Sequence, residues 1–188
     1  SPALAQPDMP LMIIADNGAI SSDVVVCVSA MSAFTDGVGM ATGVRHVYEN
    51  GKAIATTVTN LFTLRVKNTH NSVTNRVRVF VDTINCGNNG TKTSNFTVWK
   101  NPGLVGSPVW TDIASDSVME REVASTTLAG GTELFDFIVA GASSKDKDLD
   151  ARRHVELEAG DMIVVQANQT SGGSSGVLEC SLSWVEEF

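Results

Sequence analysis

From Arg152 to Val185 short apolar runs alternate with turn residues, a pattern few architectures accept. Residues 152–160 end on Gly160, residues 161–168 carry the run MetIleValValGlnAla, a Gly/Ser stretch fills 169–176, and ValLeuGluCysSerLeuSerTrpVal spans 177–185. Each run has strand length and is closed by Gly, Ser, Asn or Asp, which is how antiparallel β-structure is punctuated. None is long enough for a packed helix of ordinary length.

The same style runs upstream. Leu11–Ala15 is a short apolar run, and Asp23–Phe34 alternates loosely around Val24, Val26, Val28 and Ala30. AsnGly at 50–51, between Val44–Glu49 and Lys52–Val58, predicts a hairpin, because both residues tolerate positive φ. Leu61–Lys67 continues in extended style. Arg76–Ile84 has the cleanest period of two: Val77, Val79 and Val81 share one face, Arg78, Phe80 and Asp82 the other. CysGlyAsnAsnGly at 86–90 reads as a turn, Asn95–Lys100 as a strand, and AsnProGly at 101–103 as its end. Residues 115–124 admit two readings. Ser117 with Glu120 fits a capping box opening a short helix, while ValMetGluArgGluVal also alternates as a strand, which is the reading we favour. GlyGly at 130–131 is a turn, Leu134–Ala140 a strand with Phe135 and Phe137 on one face, and 141–151 a polar loop.

These segments predict an all-β chain: one antiparallel, jelly-roll-like β-sandwich over residues 23–188, preceded by an extended arm over residues 1–22. Its 188 residues suit a single core. The arm holds Pro2, Pro7 and Pro10 ahead of Leu11, and prolines at that density forbid helix and disfavour a central strand. It reads either as a frayed terminus or as an arm that docks on a neighbouring subunit. The start lacks the basic and apolar regions of a signal peptide, and Ser1 is consistent with loss of an initiator Met. No run of 18 apolar residues suggests a membrane span.

The net charge of −8 repels phosphate backbones, so nucleic acid is not an expected partner. The basic strip Arg65, Lys67, Arg76 and Arg78 reads as the solvated face of two strands. Cys27, Cys86 and Cys180 match no zinc spacing and, being odd in number, no disulfide framework. Cys27 and Cys180 read as small core hydrophobes of a chain assembled in a reducing compartment, with room for a single disulfide.

Chemistry-bearing patterns are few. Gly172, Ser174 and Gly176 match the nucleophile elbow, but no His or Asp follows Ser174, and the match sits in a Gly/Ser loop between strands. Asp146, Asp148 and Asp150 alternate like the start of a calcium loop, yet Ala151 and Leu157 stand where an EF-hand needs Gly and Glu. A solvated loop is the favoured reading, with irregular calcium binding as the other. His46, His70 and His154 have no second ligand at metal spacing. No enzyme, cofactor or metal site is therefore expected. Asn89, Asn95 and Asn168 begin Asn-x-Ser/Thr acceptors, which matter only for a protein secreted from a eukaryotic cell. Trp99, Trp110 and Trp184 read as core or interface anchors, or as a sugar-stacking platform.

One stretch carries a resemblance. TrpLysAsnProGlyLeuValGlySerProValTrpThrAspIleAlaSerAspSerValMetGluArgGluVal (99–123), AlaGlyGlyThrGluLeu (129–134), LeuGluAlaGlyAspMetIleValValGlnAla (157–167) and SerLeuSerTrpValGluGlu (181–187) together resemble a β-rich module of tailed-bacteriophage structural proteins. The resemblance covers roughly residues 95–188. It implies a virion protein, often trimeric, assembled in the host cytoplasm and displayed on the capsid or tail. The chain has no heptad, collagen-like or β-helix repeat, which favours a capsid decoration (cement) protein contacting the major capsid protein or other virion proteins. A receptor- or carbohydrate-binding tail-fibre or baseplate tip, reading a host-surface glycan, is the alternative. The expected contact residues are Pro2, Pro7, Pro10, Leu11, Trp99, Trp110 and Trp184.

Overall fold

The computed structural model describes residues 43–53, 55–125, 128–148, 155–172 and 175–187, all within a unit that begins at Ala41. The proline-rich segment with Pro2, Pro7, Pro10 and Leu11, the strand candidates at 11–15 and 23–34, Cys27, Asp150, His154 and Ser174 lie outside the described residues. In chain order the strands are β1 (Val44–Ala53), β2 (Thr59–Val66), β3 (Thr69–His70), β4 (Val73–Thr74), β5 (Arg78–Asn88), β6 (Ser94–Lys100), β7 (Gly103–Leu104) and β8 (Thr111–Asp112). They continue as β9 (Met119–Glu122), β10 (Leu128–Ala129), β11 (Thr132–Val139), β12 (Ser143–Asp148), β13 (Val155–Leu157), β14 (Met162–Gln169) and β15 (Val177–Glu187). The described residues contain no helix, so the Ser117 capping box opens none and 119–122 is extended.

Two antiparallel sheets make the sandwich. The five-stranded sheet runs β1-β15-β5-β12, with β13 also on β5, and the six-stranded sheet runs β11-β6-β14-β2-β9-β8. From β11 onward the chain changes sheet at every connection except β12 to β13, which both lie on β5. β13 and β14 do not pair with each other; the turn at Gly160 (φ 90°) carries the chain across the core.

One face of each sheet closes on a shared core. Val79, Val81, Ile84, Cys86, Leu178, Cys180, Leu182 and Trp184 come from one sheet, and Phe62, Leu64, Val66, Phe96, Val98, Ile163 and Val165 from the other, all at most 2% exposed. Burying a side chain of this size stabilises the fold by about 1.5–3 kcal/mol. On β5 the predicted alternation holds through Val81. There β15 pairs Ser183 with Thr83 and then Trp184 with Val81, a bulge that returns Ile84 and Cys86 to the core.

Three local expectations are corrected. AsnGly 50–51 makes no hairpin: β1 pairs with β15 without interruption from Val44↔Glu186 to Ala53↔Val177. Asn50 Nδ2 donates to the Leu61 carbonyl at 2.7 Å, and a Cβ on Gly51 would lie 2.7 Å from Glu179 Cγ, so Gly51 serves close cross-strand packing. A ten-pair ladder outweighs a two-residue turn preference. Second, Cys86–Asn88 is strand rather than turn; Asn88 closes the turn beyond it, accepting from Gly90 N–H at 3.0 Å and donating to the Lys92 carbonyl at 2.7 Å. Third, the polar stretch at 143–148 is β12, pairing with β5 from Ser143↔Asn88 to Asp148↔Thr83. Alternating Lys and Asp suits a sheet edge, where charge discourages pairing with another chain.

Candidate interaction face

The motifs singled out in the second half of the chain meet in space, and most of them serve as clasps. Asn101, in the left-handed region at φ 53°, donates its amide to Asp161 Oδ1 at 2.7 Å and accepts from Met162 N–H at 2.8 Å. Asp161 Oδ2 accepts from Glu158 N–H at 3.1 Å and lies 3.0 Å from Lys100 Nζ. Burial works to raise the Asp161 pKa, but hydrogen bonds from Asn101, the Glu158 N–H and Lys100 outweigh it and hold the carboxyl below its usual range. Gly131 (φ 94°) presses on the same corner: a Cβ there would sit 2.8 Å from Pro102 Cα. AsnPro, GlyGly and GlyAsp are thus one joint between the two sheets.

A second clasp surrounds Glu186, which is 0% exposed. Its carboxylate accepts from Ser117 Oγ at 2.6 Å, Val118 N–H at 3.0 Å and Trp184 Nε1–H at 2.9 Å. His46 stacks on Trp184 with ring centroids 5.8 Å apart, its Nε2 3.8 Å from Glu186 Oε1. Serine, imidazole and carboxylate are all present, but the carboxylate sits between the other two. A base must lie beside the hydroxyl it activates, so this group is built to hold strands. Trp184, expected among the contact residues, is instead a core anchor at 0% exposure.

The other candidates are dispersed. The basic strip is largely neutralised: Arg65 pairs with Glu120, Lys67 with Asp112 at 3.2 Å, and Arg78 with Glu156 and Glu187. Asp146 faces outward on β12, and no group of three metal-capable side chains gathers among the described residues. His70 lies on the small β3–β4 hairpin. No helix of the described residues is long and apolar enough to cross a membrane.

Trp99 and Trp110 mark a different kind of place. The register puts Trp99 on the outward face of the six-stranded sheet, opposite Val164 on β14 and Glu133 on β11. Arg65, outward on β2, lays its guanidinium 3.8 Å from the centre of the Trp110 ring while its Nε donates to Glu120 at 2.7 Å. A cation over an aromatic face is worth about 0.5–1 kcal/mol at such a site and fixes the ring. The segment leading to Trp110 projects apolar side chains into solvent: Val105 is 57% exposed and Val109 74%. Ile138, outward on the edge strand β11, is 60% exposed. On the same face Thr63 Oγ1, Asn60 Nδ2, Asn95 Oδ1 and Trp99 Nε1 are turned from water without a hydrogen-bond partner. Each such group costs about 1–3 kcal/mol. Sequence reasoning found both tryptophans but missed Val105, Val109 and Ile138, since single valines and isoleucines in strand-rich chains are normally inside.

No protein-family model matches the chain, and no curated protein is similar to it.

Proposed function

We propose that the chain is a structural virion protein, a capsid decoration protein of the outer head surface that works as a homotrimer through contacts with the major capsid protein. The observation that carries this reading is the set of apolar side chains held in solvent on the outward side of the six-stranded sheet and in the loop leading to Trp110: Ile138 on β11, and Val105 and Val109 in the loop. Large apolar side chains left in solvent suit a surface completed by another protein. The resemblance of residues 95–188 to phage structural modules points the same way, and the net charge of −8 suits a surface away from packaged DNA. Covering that face on assembly removes apolar area at about 25 cal/mol per Å² and resists separation of neighbouring capsomers.

Cryo-electron density of the parent particle tests the role. The expected result is three-fold clusters of this sandwich over capsomer junctions, with residues 104–110 at the contact. A head surface without copies bridging capsomers would overturn it.

One observation favours a second reading. Two tryptophans on one sheet face, one fixed by Arg65, also suit sugar rings. Binding to a defined host-surface glycan, abolished by Trp99→Ala or Trp110→Ala in a variant whose Tm matches the parent chain, would assign the protein to a receptor-binding tip instead.

A further inference from the structure

Cys86 and Cys180 stand directly opposite each other on β5 and β15, their sulfurs 2.8 Å apart and both side chains within the core. Both are free thiols. Opposed residues of antiparallel strands have Cα atoms about 4.5–5.5 Å apart, inside the window a disulfide requires. The sulfurs lie within an ångström of the bonded S–S distance of about 2.05 Å, so closing the bond calls for little movement of either strand.

We propose that Cys86 and Cys180 are a covalent staple site, which forms an intrachain disulfide when the chain folds in the presence of a small-molecule disulfide such as oxidised glutathione. One thiolate attacks a sulfur of the oxidised reagent and releases one reduced thiol. The second cysteine attacks the resulting mixed disulfide and releases the other. Two cysteines are oxidised, one reagent disulfide is reduced, and the two thiol protons end on the two released thiols.

Burial sets when this can happen. Cys86 is 0% exposed and Cys180 1%, so the reagent has no path to either sulfur once the sandwich is closed. Desolvation first, then the neighbouring Cys180 thiol, pushes the Cys86 thiol far above its ordinary range, so folded Cys86 holds almost no thiolate. The staple therefore forms during folding or not at all. A chain folded under reducing conditions keeps two inert thiols, and a chain folded under oxidising conditions keeps an equally sheltered bond. The bond would tie the two longest strands of the five-stranded sheet and close a long loop, which is where a cross-link restricts the unfolded chain most.

The test uses the full chain carrying Cys27→Ser, so that two thiols remain. The reduced, unfolded chain is refolded by dilution into a reduced/oxidised glutathione mixture, and thiols are counted in denaturant. The expected result is no free thiol, a mass two hydrogens lighter, one proteolytic fragment joining Cys86 to Cys180, and a Tm higher by roughly 5–15 °C than the reduced protein. Reduced protein already folded should lose thiols at least about tenfold more slowly in the same buffer. The unaltered chain, refolded alike, must map to the Cys86–Cys180 bridge, which covers the case in which Cys27→Ser impairs folding. Two thiols retained on refolding, glutathione left on both cysteines, or a bridge between chains or to Cys27 would overturn the staple. Rapid oxidation of the folded protein would overturn its control by burial.

Discussion

Glu186 shows how one side chain can decide whether a strand end stays in place. It lies near the end of β15 with no exposure, and its oxygens are met by three donors: a serine hydroxyl, a backbone N–H and the Trp184 indole. A buried carboxylate is costly unless its lone pairs are filled. Removing it reverses the problem, because the donors stay buried. Glu186→Ala should cost about 3–5 kcal/mol, Glu186→Gln about 1–3, since an acceptor oxygen survives beside an amide that cannot accept, and Ser117→Ala about 1. Urea unfolding midpoints give these differences directly. Equal losses in all three variants would mean that the site is held by packing around Trp184 rather than by hydrogen bonds to the carboxylate.

Between strands, the joint formed by Asn101, Pro102, Gly131 and Asp161 makes stability depend on acid. The Asp161 carboxyl has its folded pKa depressed, so it contributes stability above its unfolded value of about 3.8, and that contribution is lost as pH falls through the folded value. The carboxyl is about a quarter exposed, at 23%, so solvent screens it in part and the effect is a slope rather than a collapse. Asp161→Asn should lower the Tm slightly at neutral pH and flatten its fall below pH about 4 relative to the parent chain; identical acid limbs would remove Asp161 from the account. This joint also explains what could be read in advance. AsnPro, GlyGly and GlyAsp were legible as turns because positive φ and proline leave local marks, but their convergence was not, since no local mark says which turns touch. AsnGly 50–51 misled for the same reason in reverse: its local mark is real, and the ten-pair ladder that overrides it is contributed by residues more than a hundred positions away. The edge strand β12 was hidden because edge protection demands the charged composition that otherwise signals a loop. Trp99 and Trp110 were legible as anchors by size alone, while their common face depended on a register only the sheet supplies.

At the scale of the whole molecule, the two sheets divide the work. Their facing surfaces hold most of the large core side chains, and on the outward side the six-stranded sheet carries Trp99, Ile138 and the loop with Val105, Val109 and Trp110. A change at Trp110 would disturb Arg65 and Glu120 as well as any contact, so it cannot separate binding from folding. Val109 can. It is 74% exposed, and replacing it with aspartate removes no core contact, so Val109→Asp should leave the unfolding free energy within about 0.5 kcal/mol. Seated against a capsid protein, the same change buries an unpaired carboxylate and should weaken binding to expanded, undecorated capsids by about tenfold or more, equivalent to about 1.4 kcal/mol. Binding is read by cosedimentation of purified chain with such capsids, and folding by Tm of the free protein. Val109→Thr, nearly the same shape without the charge, should retain most of the affinity. If Val109→Asp binds as well as the parent chain, the loop lies outside the contact and the outward face loses its claim to be the decorating surface, because Val109 is the part of that face least able to avoid a partner placed on it.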